Sequence, residues 1–269
     1  MSVLTNFLAI MRMVRKIYIM LGLLFCVLNI RAQEAAFPYP DIPDEVEEPE
    51  ARMAYMLEHF WQDYSFADST AMNREVGEQG MVDFLNLMQH ADSVTAVQGA
   101  SVLSDSLVSY PSAMSFFEGL MERYLGDSDS PLYSDEVYAC LLRALPETPQ
   151  RVWLLEQLAK NRVGSRAADV LLAASDGKRT RLYNVKAEQT LLIFFDPDCR
   201  RCQRLDAQLE QEPLIVQNPR LKVVRKDVND LNGEYYVPHT PALYLLDEKK
   251  RVVLKETNLQ TLLQRLQEF

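Results

Sequence analysis

The sequence predicts two domains, an all-α helical bundle followed by an α/β domain, behind a leader removed on export. Three observations carry this expectation. Apolar residues recur at three- and four-residue spacing through the first half, short apolar runs separated by turn residues fill the second, and a basic-then-apolar segment opens the chain.

Arg12, Arg15 and Lys16 precede the apolar stretch 17–30, and Arg31-Ala32-Gln33 then leads into an acidic, Pro-rich linker, residues 34–45. This is the layout of a secretory signal peptide over residues 1–33. The apolar stretch is shorter than the roughly 20 residues of a membrane-spanning helix, so cleavage is expected, with a retained signal anchor as the alternative. Bulky Phe25 precedes Cys26 where lipidation expects a small residue, which places Cys26 in the discarded segment. The expected location is the periplasm or cell envelope of a Gram-negative-type cell, where disulfides persist.

Residues 46–160 read as five or six helices. Met53, Met56, Leu57, Phe60 and Trp61 form one stripe, and Met81, Phe84, Leu85 and Met88 form a second. The weaker 94–108 segment follows, then Phe116, Phe117, Leu120, Met121 and Tyr124 behind Pro111. Ser134-Asp135-Glu136 opens a helix carrying Val137, Tyr138, Leu141 and Leu142, and Thr148-Pro149 caps one carrying Trp153, Leu154 and Leu158. The Met and aromatic stripes are core packing rather than a cofactor box. Cys140, among the apolar residues of its helix, is expected to be a buried, inert thiol.

Residues 161–269 change character. The runs 170–173 and 180–183 around Asp176-Gly177 predict a hairpin, and 190–195 predicts a buried strand. A helix from Cys202 to about Ile215 and a strand over 221–224 follow. Strands over 242–246 and 251–256 flank a turn at 247–250, and a helix over 260–269 closes the chain.

Between the first long strand and its helix lie Asp196-Pro197-Asp198 and then Cys199-Arg200-Arg201-Cys202. Two thiols one helical turn apart form a dithiol redox site when the first stands at a helix N-terminus. Its sulfur then meets unpaired backbone N–H groups, while the second follows on the same face. The helix dipole and the guanidiniums of Arg200 and Arg201 favour the Cys199 thiolate, the form that performs exchange. Asp196 and Asp198 oppose this if they pair with the arginines. A C-x-x-C is also half of a structural zinc site, but no second C-x-x-C and no H-x-x-x-H occurs, so neither a metal nor another cofactor is expected.

On these motifs, residues 161–269 resemble the thioredoxin-like superfamily, exported thiol-disulfide oxidoreductases with an added N-terminal hairpin in particular. Three features carry the resemblance: Cys199-Arg200-Arg201-Cys202 after a strand, Asp227 and the 230–236 link after the next strand, and Thr240-Pro241 immediately before another. It implies a central mixed sheet, a cis Pro241 facing the two sulfurs, and a Thr240 backbone that pairs with a bound peptide. It also implies Cys199 as nucleophile and Cys202 as resolving thiol, protein thiols or disulfides as partners, and a membrane electron donor if the protein is a reductant. The stretch Tyr124-Leu125, Ser130-Pro131 and Glu136-Val137-Tyr138 makes residues 46–160 similar to an uncharacterised helical domain that precedes thioredoxin-like domains in exported proteins.

Two departures bear on mechanism. The position six before the first cysteine, a buried carboxylate in thioredoxin, is Ile193, and the usual aromatic before that cysteine is Asp198. Asp196 also stands where peroxiredoxins require Thr, which excludes a peroxidase. The expected activity is therefore exported protein thiol-disulfide exchange. The alternative is a non-catalytic peptide-binding or envelope assembly protein whose helical domain is the interaction module.

Charge adds one further expectation. Residues 34–160 hold 23 acidic and 6 basic side chains, whereas 161–269 hold 15 and 18. The chain without its leader repels nucleic acid, and the acidity of its bundle is expected to keep an exported domain soluble, with docking near the Arg200-Arg201 rim, or screening of the partners that approach it, as the alternative.

Overall fold

Six helices among the described residues make the first part: α1 (Pro49–His59), α2 (Arg74–His90), α3 (Ser93–Leu107), α4 (Pro111–Leu125), α5 (Asp135–Ala144) and α6 (Pro149–Leu158). The structure, a computed structural model, describes residues 36–67, 74–173 and 179–268. The expected leader over 1–33 and the Asp176-Gly177 turn lie outside the described residues. From Tyr39 onward the chain forms one compact unit.

The helix starts follow from side chains that satisfy backbone donors left unpaired by helical geometry. Asp92 accepts from the N–H groups of Val94 and Thr95 ahead of α3, Ser134 from Val137 ahead of α5, and Thr148 from Arg151 ahead of α6. Pro49, Pro111 and Pro149 open their helices where no N–H is required. Leu57, Phe60, Trp61, Phe84, Phe117 and Met121 are at most 2% exposed. The Trp61 ring meets Phe84 and Phe117 edge-on at 5.4 and 5.2 Å, contacts worth about 0.5–1.5 kcal/mol each beyond area burial.

Three of the predicted core aromatics lie elsewhere: Tyr124 is partly buried and donates its hydroxyl to Glu78 at 2.6 Å. Phe116 is only partly buried and carries the Arg74 guanidinium 5.4 Å from its ring centre. Trp153 is 53% exposed, and its ring meets Tyr236 of the second part of the chain edge-on at 5.7 Å.

That second part begins with a hairpin, β1 (Leu171–Ala173) antiparallel to β2 (Arg179–Arg181). The central sheet has the order β4-β3-β5-β6, from β3 (Gln189–Phe195), β4 (Leu221–Asp227), β5 (Ala242–Leu246) and β6 (Val252–Thr257). β3 pairs in parallel with β4 and antiparallel with β5, so the sheet is mixed, as the resemblance implies. Strand alternation sorts the core into two faces. Leu191 and Ile193 pack with Leu205, Leu209, Leu262 and Leu266 of α7 (Arg200–Leu209) and α9 (Leu259–Gln267). Leu192 and Phe194 point the other way, with Tyr235 and Tyr244.

Element lengths depart from expectation where pairing or proline decides. β4 runs three residues past Val224 because its ladder matches β3 from Gln189↔Leu221 to Phe195↔Asp227. The helix expected to reach Ile215 stops at Leu209, and a second one, α8 (Pro213–Val216), follows. Pro213 has no N–H to donate, and its ring would strike the carbonyl of Leu209, four residues back. The Glu212 side chain then caps α8 by accepting from Leu214.

Candidate redox site

β3 delivers the chain to the site through a turn made by its own acid. The Asp196 carboxylate accepts the Asp198 N–H at 3.0 Å, and the Asp196 carbonyl accepts the Cys199 N–H at 3.0 Å. This turn sets Cys199 in an extended conformation as the N-cap of α7. Its Sγ accepts the Cys202 N–H at 3.3 Å, doing for this helix what Ser, Thr or Asp does elsewhere. The Cys199 thiol also lies 3.6 Å from the Thr240 carbonyl, to which it can donate. Thr240-Pro241 is a cis peptide bond. The structure thus brings Cys199, Cys202, Thr240 and Pro241 into one small region.

The two thiols differ electrostatically. Burial raises Cys199, but hydrogen bonds from Cys202, Thr240 and the Arg201 N–H outweigh it, and its pKa falls to about 7. Cys202 is 4% exposed; burial raises its pKa, and its hydrogen bond to Cys199 raises it further. Thiolate therefore forms first on the accessible sulfur, the one that can reach a partner.

Arg201 pairs at 2.8 Å with Asp129, from the loop between α4 and α5, and not with Asp196 or Asp198. Asp196 is turned to the backbone, and among the described residues no carboxylate pairs with Arg200. Among the described residues neither Asp196 nor Asp198 pairs with an arginine: the Asp196 carboxylate serves the turn, and the bundle supplies Asp129 to Arg201. The contact from the helical part is Asp129 on Arg201.

Ile193 is 2% exposed within the apolar face under α7, and no carboxylate is among the groups that shift Cys202. A buried acid does exist, but on the opposite face of the sheet. Glu256 of β6 is 4% exposed and accepts the Tyr244 hydroxyl at 2.9 Å. Burial pushes its pKa up to about 7, against the lowering effect of neighbouring Lys255. Sequence reading missed it because Lys255-Glu256 looks like an ordinary charged strand end. The register shift in β6 and a positive φ of 47° at Glu256 place it inward.

Cys140 is half-buried, and burial raises its pKa. Among the described residues no group of three or more His, Cys, Asp or Glu side chains is placed to hold a metal ion.

Among solved structures, a thioredoxin-like protein from Bacteroides caccae is similar to this chain at 25% identity with a TM-score of 0.73, covering 87% of this chain and 99% of that one. The C-terminal domain of an uncharacterised protein from Bacteroides fragilis is 28% identical, with a TM-score of 0.38 and coverage of 40% and 99%. A domain of a possible thiol-disulfide isomerase from Cytophaga hutchinsonii is 23% identical, with a TM-score of 0.36 and coverage of 41% and 94%. No curated protein matches the sequence. The family model described as a domain of unknown function, DUF5106, matches residues 24–171, more than half of the chain. The chain therefore belongs to the DUF5106 family, with its helical domain set before a thioredoxin-like domain.

Proposed function

We propose that the protein is an exported protein thiol-disulfide oxidoreductase, with Cys199 as nucleophile and Cys202 as resolving thiol. The observation that carries this reading is the inequality of the two sulfurs. Cys199 caps a helix beside Thr240-Pro241 with its pKa lowered to about 7, while Cys202 is buried with its pKa raised.

In the reducing direction, the Cys199 thiolate attacks one sulfur of a partner disulfide. A Cys199–partner bond forms, the partner S–S bond breaks, and the second partner sulfur leaves as thiolate. Cys202 then loses its proton and attacks the Cys199 sulfur, expelling the first partner sulfur. The partner gains two electrons and the protein keeps a Cys199–Cys202 disulfide. Oxidation of a partner dithiol runs these steps in reverse. Among the described residues no carboxylate shifts Cys202, so its proton passes to water, and resolution is the slow step. Thr240 and Pro241 shape the peptide groove, and Arg200 and Arg201 tune the positive rim.

Reduction of insulin disulfides in the presence of a small dithiol tests the reading. Turnover by the native chain and none by Cys199→Ser supports it. No turnover by either, with Cys199 titrating as an ordinary thiol, favours a non-catalytic peptide-binding or assembly protein instead.

A further inference from the structure

A cavity of about 510 Å³ lies between helices α4–α6 and the segment that runs into Thr240-Pro241. The helical domain supplies Tyr138, Trp153, Glu122 and Asp135 to its wall, and the thioredoxin-like domain supplies Tyr236 and Glu256. The size falls within the roughly 300–1,000 Å³ of sites that hold a small ligand or side chain. Among the described residues that line it, His239 is the one basic side chain.

The chemistry of the wall has one direction. Lys255 pairs with Asp135 at 2.5 Å and offsets part of its charge. Glu122 stands exposed and Glu256 buried, and neither forms an ion pair among the described residues. Tyr236 registers the resulting field: burial raises its pKa, and Glu256, Glu122 and Asp135 each raise it further. Aromatic faces together with carboxylates are the recognition chemistry of an ammonium or guanidinium group on an apolar stem.

Position supplies the occupant. Pro238 and His239 line the cavity, and the next two residues are Thr240 and Pro241. A peptide extended along Thr240 advances about 3.3 Å per residue, so a side chain a few residues from the reacting sulfur falls at the cavity mouth.

We propose that this cavity is a specificity subsite for a lysine or arginine side chain of the polypeptide engaged at Cys199. The inference rests on the oxidoreductase reading and deepens it. It gives the helical domain a role in choosing partners, with Trp153 and Glu122 as specificity-determining residues.

The test is calorimetric titration of the full chain with three probes: a cysteine-free peptide carrying one lysine, the same peptide with norleucine in its place, and butylamine. The lysine peptide is expected to bind about tenfold more tightly than the norleucine peptide. That preference should vanish in Trp153→Ala and in Glu122→Gln, exposed positions whose folding is checked by circular dichroism. Equal affinity for the two peptides, or a preference that survives both substitutions, overturns the proposal. Butylamine binding as tightly as the lysine peptide overturns the polypeptide as source and assigns the site to a free amine. Binding needs no sulfur chemistry, which separates the two claims. Lysine preference without disulfide exchange refutes only the redox reading, and exchange without preference refutes only the subsite.

Discussion

Cys199 caps α7 with sulfur where other helices of this chain use oxygen. The same hydrogen bonds that start the helix lower the thiol, so folding and activation are one arrangement. Alkylation of the native chain by iodoacetamide should therefore show a rate that rises with a midpoint near pH 7 and is lost in Cys199→Ser. A midpoint in the ordinary thiol range, near 9, would contradict the geometry. Cys140, raised by burial, should contribute no fast phase below that range. The cysteine spacing and the Thr240-Pro241 pair were legible in the sequence because local chain geometry decides them. The partner of Arg201 was not, since Asp129 is 72 positions away and only packing brings it near.

At the scale of elements, caps and prolines set most boundaries, and these were legible wherever the signal was local. Ser134 and Thr148 start the helices the sequence predicts, and replacing Ser134 with Ala should cost about 1 kcal/mol in urea denaturation. An unchanged midpoint would mean that packing alone holds α5. The true length of β4 was hidden because Arg225, Lys226 and Asp227 do not read as strand, yet the ladder with β3 extends through them. Trp153 and Glu256 misled in opposite ways. One looked like core and is exposed, and the other looked like surface and is buried. Each meets a residue of another element, Tyr236 for Trp153 and Tyr244 for Glu256, and single-helix or single-strand periodicity carries no information about such contacts. Gly126 marks the same contact zone. A Cβ there would lie 2.7 Å from the Glu122 carbonyl and 3.3 Å from the Tyr138 ring, so Gly126→Ala should cost about 1–3 kcal/mol.

Across the whole molecule, the ion pairs that join the helical bundle to the thioredoxin-like domain differ in worth. Arg201 and Asp129 keep side-chain exposures of 48% and 65%, and Asp129→Asn should change stability by less than about 1 kcal/mol. Lys255 and Asp135 are 5% and 19% exposed, and Lys255 also donates to the Leu158 carbonyl at 3.3 Å. Replacing Lys255 with Met strands a buried carboxylate and should cost about 3–5 kcal/mol. Equal effects of the two substitutions would show that burial does not govern these contacts.

Glu256 gives the molecule a pH signature. Its folded pKa, about 7, exceeds the ordinary 4.5, so between those values the folded state binds more protons than the unfolded state. Stability from this group is full below the lower value, falls as pH rises through the window and levels off above about 7. The loss is on the order of 3 kcal/mol, and Glu256→Gln should flatten the profile in urea titrations across that range. A wild-type profile that rises through the window, unchanged by Glu256→Gln, would contradict the assignment.

The central claim is that Cys199 attacks and Cys202 resolves. Its most direct measurement is trapping with Cys202→Ser, expressed as the full chain in cells and recovered after acid quenching and alkylation. The account predicts mixed disulfides between Cys199 and polypeptide partners, dissolved by reductant and absent from Cys199→Ser/Cys202→Ser. A Cys202→Ser chain recovered only as free thiol, with no cross-linked partner, would contradict it.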